Sequence, residues 1–290
     1  MLISTSTSIV ATLPHYSNVE DLTECFARLK KAGFTTVDCD LWSLSHNNKV
    51  LTRPEYLDWA HQTRALADSM GLAIHQTHAD TLSGMQWDDP THPDYPGLEE
   101  RILRCIEVTK ILGAEWTVVH PANLPHAPLY SAKEAKEANL RYLVPLIEKA
   151  KAEGIGLALE NMIDFRDNRR RYCGGDPYEL LDLCDTINDP AVGICIDTGH
   201  AHQAGIHVGD FIRLVGDRLK TTHINDNLRD KDAHLPPLYG SADWADIAAA
   251  LKEIGYQGVF TYELSRPPMP EAAVDSWLKF LYQLADSVIN

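Results

Sequence analysis

Four polar residues that can bind a divalent cation each close a short apolar run. Ile155–Leu159 leads into Glu160, Val192–Ile196 into Asp197, Leu219–Thr222 into His223, and Gly258–Tyr262 into Glu263. An apolar run that stops on one polar residue is how a parallel barrel strand delivers a side chain to its C-terminal mouth. Mixed carboxylate and imidazole ligation suits Mn²⁺, Mg²⁺, Co²⁺ or Zn²⁺. Glu160 and Glu263 can in addition serve as acid and base. These residues predict a metal-dependent enzyme.

The neighbours of these positions add polar groups. Asn161 follows Glu160 and is expected to orient it. Asp197-Thr198-Gly199-His200 places a tight turn before a histidine that returns toward the mouth. His78 ends the third strand-like run and His120 the fourth, while Asp232-Ala233-His234 follows the seventh. Arg166, Arg169, Arg170 and Arg171 form a basic cluster after the fifth run, read as a solvated loop or as a site for a substrate phosphate or carboxylate. Trp42 and Trp87 are candidates for an apolar wall against one face of a substrate, whereas Trp244 reads as packing, with Ser241 as the N-cap of its helix. No role is assigned to His15, His46, His126, His202 or His207.

Strand-like runs recur at Leu2–Thr7, Thr35–Leu41, Leu72–Thr77 and Glu115–Val119, followed by the four that carry the ligands. Between them lie amphipathic stretches with apolar residues at i, i+3, i+4 and i+7: Val19–Ala32, Tyr56–Met70, Gly97–Leu112, Ala132–Glu153, Pro177–Cys184, Trp244–Ile254 and Glu271–Ile289. Gly33, Gly71, Gly113, Gly154 and Gly255 stand where a helix end needs a left-handed residue. Eight strands alternating with helices predict an α/β (β/α)8 TIM barrel, with residues 1–290 as one domain. A doubly wound open sheet is the rival, and it would not easily bring ligands from four strands around one point. The segment Leu82–Pro96 is long enough to be a substrate lid or a decorative loop.

The balance of 26 basic against 41 acidic residues, a formal net charge of −15, disfavours nucleic acid and anionic membranes as partners. The six cysteines form no C-x-x-C pair and read as reduced and buried. No signal peptide is visible at Met1-Leu2-Ile3-Ser4-Thr5, and no apolar run approaches a membrane span, so a cytoplasmic location is expected.

On the four strand-end ligands the chain resembles the xylose isomerase-like barrel superfamily of sugar isomerases and epimerases, over essentially its full length. The resemblance to its ketose 3-epimerases implies one metal held by Glu160, Asp197, His223 and Glu263, with Glu160 and Glu263 moving protons beside a carbonyl through a metal-stabilised enediolate. It implies substrate contacts from His200 and Arg229, and from His78 and His120 where sugar enzymes keep these histidines. No organic cofactor is implied, the partner is a small sugar or sugar-like molecule, and assembly as a homodimer or homotetramer follows by analogy. The related abasic-site endonucleases bind three zinc ions, and their nine ligand positions are filled here by His78, His120, Glu160, Asp197, His200, His223, Asp232, His234 and Glu263. Against that activity stand the acidic charge and the absence of a glycine-rich loop at Ser4-Thr5-Ser6-Thr7. The same residues would also serve a dehydratase or lyase acting on a keto-polyol or sugar-like acid, or a non-catalytic sugar-binding subunit.

Overall fold

A computed structural model describes residues 1–11, 19–81, 97–122, 130–165 and 170–290. Eight parallel strands form the centre: β1 (Leu2–Thr5), β2 (Thr36–Asp40), β3 (Ala73–His78), β4 (Trp116–Val119), β5 (Gly156–Glu160), β6 (Val192–Asp197), β7 (Leu219–His223) and β8 (Val259–Tyr262). Strands β2 to β7 pair in chain order, and β1 pairs with β8 from Leu2 opposite Val259 to Thr5 opposite Tyr262. Two single bridges close the ring, Ser6 with Asp38 and Ile224 with Tyr262. The fold is therefore the expected (β/α)8 barrel.

The helices are α1 (Ser8–Ala11), α2 (Thr23–Ala32), α3 (Tyr56–Ser69), α4 (Leu98–Leu112), α5 (Ala132–Glu153), α6 (Pro177–Ile187), α7 (Thr198–Gln203), α8 (Val208–Val215), α9 (Trp244–Glu253) and α10 (Glu271–Ile289). Their starts follow from local chemistry. Ser131 Oγ accepts from Glu134 N at α5, and at α6 Asp176 accepts from Tyr178 N with Pro177 in the first turn. At α9 the cap is Asp243, which accepts from Asp246 N; Ser241, expected in that role, instead hydrogen-bonds His202. All five glycines expected at helix ends take positive φ. A short antiparallel ribbon, Asp164–Phe165 against Arg170–Arg171, has no counterpart in the sequence pattern. Among the described residues no helix is long and apolar enough to cross a membrane.

The main core lies between the strands and the helix layer. Phe26 and Leu29 of α2, Ile102 and Ile106 of α4 and Leu143 of α5 pack with Val37, Ile194 and Phe260 of the strands. A second, small apolar cluster of Val118, Ala158 and Cys195 has Trp116 against it. Glycine at 156 and 193 leaves room for the Trp116 ring and the Lys220 stem, which a Cβ would overlap. The six cysteines are free and buried, as expected. The barrel thus has a packed outer core, while its upper interior is given to polar side chains.

Candidate metal centre at the barrel mouth

Strands β5, β6 and β7 deliver Glu160, Asp197 and His223 as their last residues, and Glu263 follows β8 directly. Ligand atoms of these four lie within 4.8 Å of one another. His223 Nδ1 is 3.0 Å from Glu160 Oε1 and 3.5 Å from Glu263 Oε2. Glu160 Oε2 is buried without a hydrogen bond, although His120 Nε2 lies 3.0 Å and His78 Nε2 3.4 Å away. His78, Glu160 and His223 form a second candidate triad, and His200, Asp232 and His234 a third. In the third, Asp232 Oδ2 is 3.4 Å from His200 Nε2 and 3.0 Å from His234 Nε2. All nine positions singled out in the sequence therefore meet at one mouth.

The imidazoles are anchored from behind. His78 Nδ1 is 2.9 Å from Ala79 O, His120 Nδ1 2.8 Å from Thr81 Oγ1, His200 Nδ1 2.9 Å from Asn161 O, and His234 Nδ1 2.9 Å from Glu263 O. Each of these four then presents Nε2 to a carboxylate. His223 is turned the other way, with Nε2 3.3 Å from Asp38 Oδ2 and Nδ1 toward the cluster. An imidazole that donates one N–H to a fixed oxygen and turns its bare nitrogen toward carboxylates is built like a metal ligand. The donor set, the unpartnered Glu160 Oε2 and these anchors all fit a divalent cation.

The carboxylates have supports of their own. The Asn161 side chain bridges β5 and β6 like a stretch of main chain: Asp197 N donates to its Oδ1 at 2.7 Å, and its Nδ2 donates to Asp197 O at 3.0 Å. Asn161 thus fixes Asp197, rather than orienting Glu160 as its adjacency suggested. Asn225 Nδ2 donates to Asp197 Oδ2 at 2.8 Å. Gly199 is required there, because a Cβ would overlap Asn225 Oδ1. Asp226 sets the loop that carries Asp232 and His234. Its oxygens accept from Asn227 N, Gly240 N, Ala242 N and, at 2.7 Å, Trp244 Nε1, while its main chain bridges Leu235.

Without a cation the cluster settles its charges with protons. Burial opposes a charge on His78, but the Glu160 carboxylate beside it outweighs burial and lifts its pKa to about 9. For His234 burial is likewise outweighed, chiefly by the Asp232 hydrogen bond, giving about 10. Burial would push Glu160 up; His223 and His120 beside it hold it well below the usual carboxylate range. Asp197 goes the other way, to about 7, because burial dominates. His120 is lowered, again by burial.

Among the described residues, the remaining candidates form no hydrogen bond or ion pair with this cluster. Arg229 is exposed and left-handed (φ 65°), and its side chain forms no ion pair or hydrogen bond among the described residues. Its charge adds to burial in lowering the pKa of His202. Trp42 is exposed, edge-on to His46. Trp244 is buried, as packing requires. Trp87, His15, His126, Arg166, Arg169 and the Leu82–Pro96 segment lie outside the described residues, and Arg170 and Arg171 are described in their backbone alone. Sequence reasoning missed Asp38, Gln76, Thr81, Asn225 and Asp226, which support the ligands without being ligands. The signal available for Asp38 was its alternation with Thr36 and Asp40 along a strand.

Residues 26–284 match the xylose isomerase-like TIM barrel family. The chain belongs to that family. Among its curated relatives is an inosose isomerase of Bacillus velezensis, 24% identical over 193 residues, covering 64% of this chain and 66% of that protein. Another is a probable endonuclease 4 of a Geobacillus species, 31% identical over 150 residues, covering 47% and 46%. Matches to these two curated relatives thus span between about half and two thirds of their length. The solved structure of a D-tagatose 3-epimerase-like protein superposes with a TM-score of 0.75 at 23% identity, covering both chains entirely, and establishes the likeness of fold.

Proposed function

We propose that this xylose isomerase-like barrel, acting as one domain, is a divalent-metal-dependent isomerase or epimerase of a sugar or sugar-like polyol ketone. The observation that carries the reading is the convergence of Glu160, Asp197, His223 and Glu263, with both glutamates facing one imidazole nitrogen. The inosose isomerase relative and the 3-epimerase-like fold support the substrate class. The four residues would hold Mn²⁺, Co²⁺, Mg²⁺ or Zn²⁺, which supplies Lewis-acid stabilisation of charge developing on a substrate oxygen. Glu160 and Glu263 arrive on different strands and can serve as base and acid beside a substrate carbonyl. One takes the carbon-bound proton and the other returns a proton, to the opposite face of the same carbon in an epimerase or to the adjacent carbon in an isomerase. Glu263, with a side chain 26% exposed against 1% for Glu160, is the carboxylate in readier proton exchange with solvent.

The test is to count metal in protein purified without added metal or chelator, then to incubate a panel of ketoses and inososes in deuterated water. Expected are about one divalent ion per chain, as the single four-ligand site implies, and deuterium on a carbon beside the carbonyl. Glu160→Gln and Glu263→Gln should each slow that exchange about 100-fold or more. Full exchange in both variants sinks the acid/base scheme.

A second reading rests on a specific observation, the assembly of all nine candidate ligands into three adjoining groups. It is a phosphodiesterase acting at abasic sites in DNA, in line with the probable endonuclease 4 relative. Three zinc ions per chain together with cleavage of an abasic duplex would favour it over the isomerase.

A further inference from the structure

Asp38, the middle residue of β2, belongs to none of the nine positions at the mouth, yet it is buried against one of them. Its Oδ2 accepts from Gln76 Nε2 at 3.1 Å and lies 3.3 Å from His223 Nε2, and its Oδ1 is buried with no hydrogen-bond partner. Gln76 is fixed in turn. Its Oε1 accepts from Thr261 Oγ1 at 3.2 Å, and its Nε2 also reaches Thr222 O at 3.4 Å. A polar line therefore crosses the barrel interior from Thr261 on β8 through Gln76 on β3 to Asp38 on β2 and on to His223 on β7.

The direction of hydrogen bonding along that line follows from donors and acceptors. The Thr261 hydroxyl takes the Gln76 oxygen, so the Gln76 amide must donate to Asp38. A carboxylate only accepts, so His223 donates to Asp38 through Nε2, and Nδ1, the nitrogen toward Glu160 and Glu263, is the one on which a cation would replace the proton. The other four imidazoles have the opposite arrangement, Nδ1 anchored and Nε2 presented, and their anchors are neutral oxygens. His223 differs from them in which ring nitrogen is anchored and in having a carboxylate behind it.

We propose that Asp38 is a positioning residue that holds His223 with Nδ1 toward the cation and strengthens it as a ligand through a carboxylate–imidazole–metal chain. The inference rests on the metal reading above. Outer carboxylates of this kind fix ring orientation and raise ligand basicity, and their loss usually costs ten- to a hundredfold in metal affinity.

The experiment compares Co²⁺ binding to the full chain, Asp38→Asn and Thr261→Val, by equilibrium dialysis and by the visible absorption of the bound ion. Thr261→Val cuts the same line at its far end without touching His223. Asp38→Asn is expected to weaken Co²⁺ about 10- to 100-fold and to alter its absorption bands, while Thr261→Val lowers the melting temperature and leaves affinity within about twofold. Asp38→Asn losing no more affinity than Thr261→Val, with the unsubstituted chain binding Co²⁺ normally, overturns the role of Asp38 alone. An unsubstituted chain that takes up no Co²⁺ overturns both this role and the metal reading. Should Asp38→Asn fail to fold, nitrogen NMR of zinc-loaded, ¹⁵N-histidine-labelled protein still decides. A proton on Nε2 of His223 supports the proposal, and a proton on Nδ1 overturns it.

Discussion

Each of the five imidazoles at the mouth has an oxygen anchor behind it and a carboxylate in front, and in the metal-free protein protons fill the place of the cation. Their balance has a measurable sign. His78 and His234 have pKa values raised to about 9 and about 10 by Glu160 and Asp232, with the charge of Glu263 adding to both, so near pH 7 they are charged until a cation held by Glu160 and Glu263 offsets those carboxylates and repels their protons. A raised histidine pKa contributes stability that is fully present below the unfolded value, about 6.5, and is lost as pH climbs through the folded value. For the metal-free chain that loss falls between about pH 6.5 and 10. Metal affinity must run the opposite way, rising with pH over the same window, because charged His78 and His234 repel the cation from the carboxylates they share with it and His223 ligates only when neutral. We predict that binding near pH 7 releases protons, seen as a dependence of the calorimetric enthalpy on the ionisation heat of the buffer. An enthalpy independent of buffer would mean that the imidazoles were already neutral, contrary to the charge balance described.

Among the elements, the loop from β7 to α9 is held by its own sequence. Asp226 gathers three main-chain amides and the Trp244 indole, and Gly240 lies so close that a Cβ would overlap Asn227 O and Asp226 Oδ1. Because the obstruction is largely main chain, Gly240→Ala should force the loop outward, costing about 2 kcal/mol in denaturant unfolding, a usual figure for overpacking. It should also loosen Asp232 and His234. Wild-type stability in this variant would show that Asp226 does not fix the loop. This clamp also marks the boundary of what the chain announces. The four ligand-bearing strand ends were legible because an apolar run ending on one polar residue is a local pattern, and the helix ends were legible from their glycines. Asn161 and Ser241 were seen as functional types but given the wrong partners, Glu160 instead of Asp197 and a helix end instead of His202. Their true partners lie 36 and 39 residues away in sequence and adjoin only once β5 is beside β6 and the β7–α9 loop has folded over α7. The Asp38–Gln76–Thr261 line was less legible still, since it spans strands that face each other only after the barrel closes.

At the scale of the molecule, the net charge of −15 opposes any polyanion. A duplex carrying an abasic site, followed by fluorescence anisotropy at about 50 mM salt, where phosphate contacts are strongest, should show no saturable binding to the metal-loaded chain. Tight binding that falls steeply with added salt would instead favour the phosphodiesterase reading. One feature of the barrel also governs how the molecule comes to exist. Thr5 and Tyr262, joined by a hydrogen bond, are 257 residues apart, and β1 reaches β2 and β7 reaches β8 through single bridges. Pairings so distant in sequence form late, because the entropy of closing the intervening chain must be overcome first. Until β8 arrives to meet β1, the growing sheet has open edges whose unpaired main-chain groups can pair with other chains. Refolding should therefore be most vulnerable to aggregation just before the ring shuts, and since Glu263 lies one residue beyond the closing strand, the ligand set is completed by the same event that removes the last sticky edge.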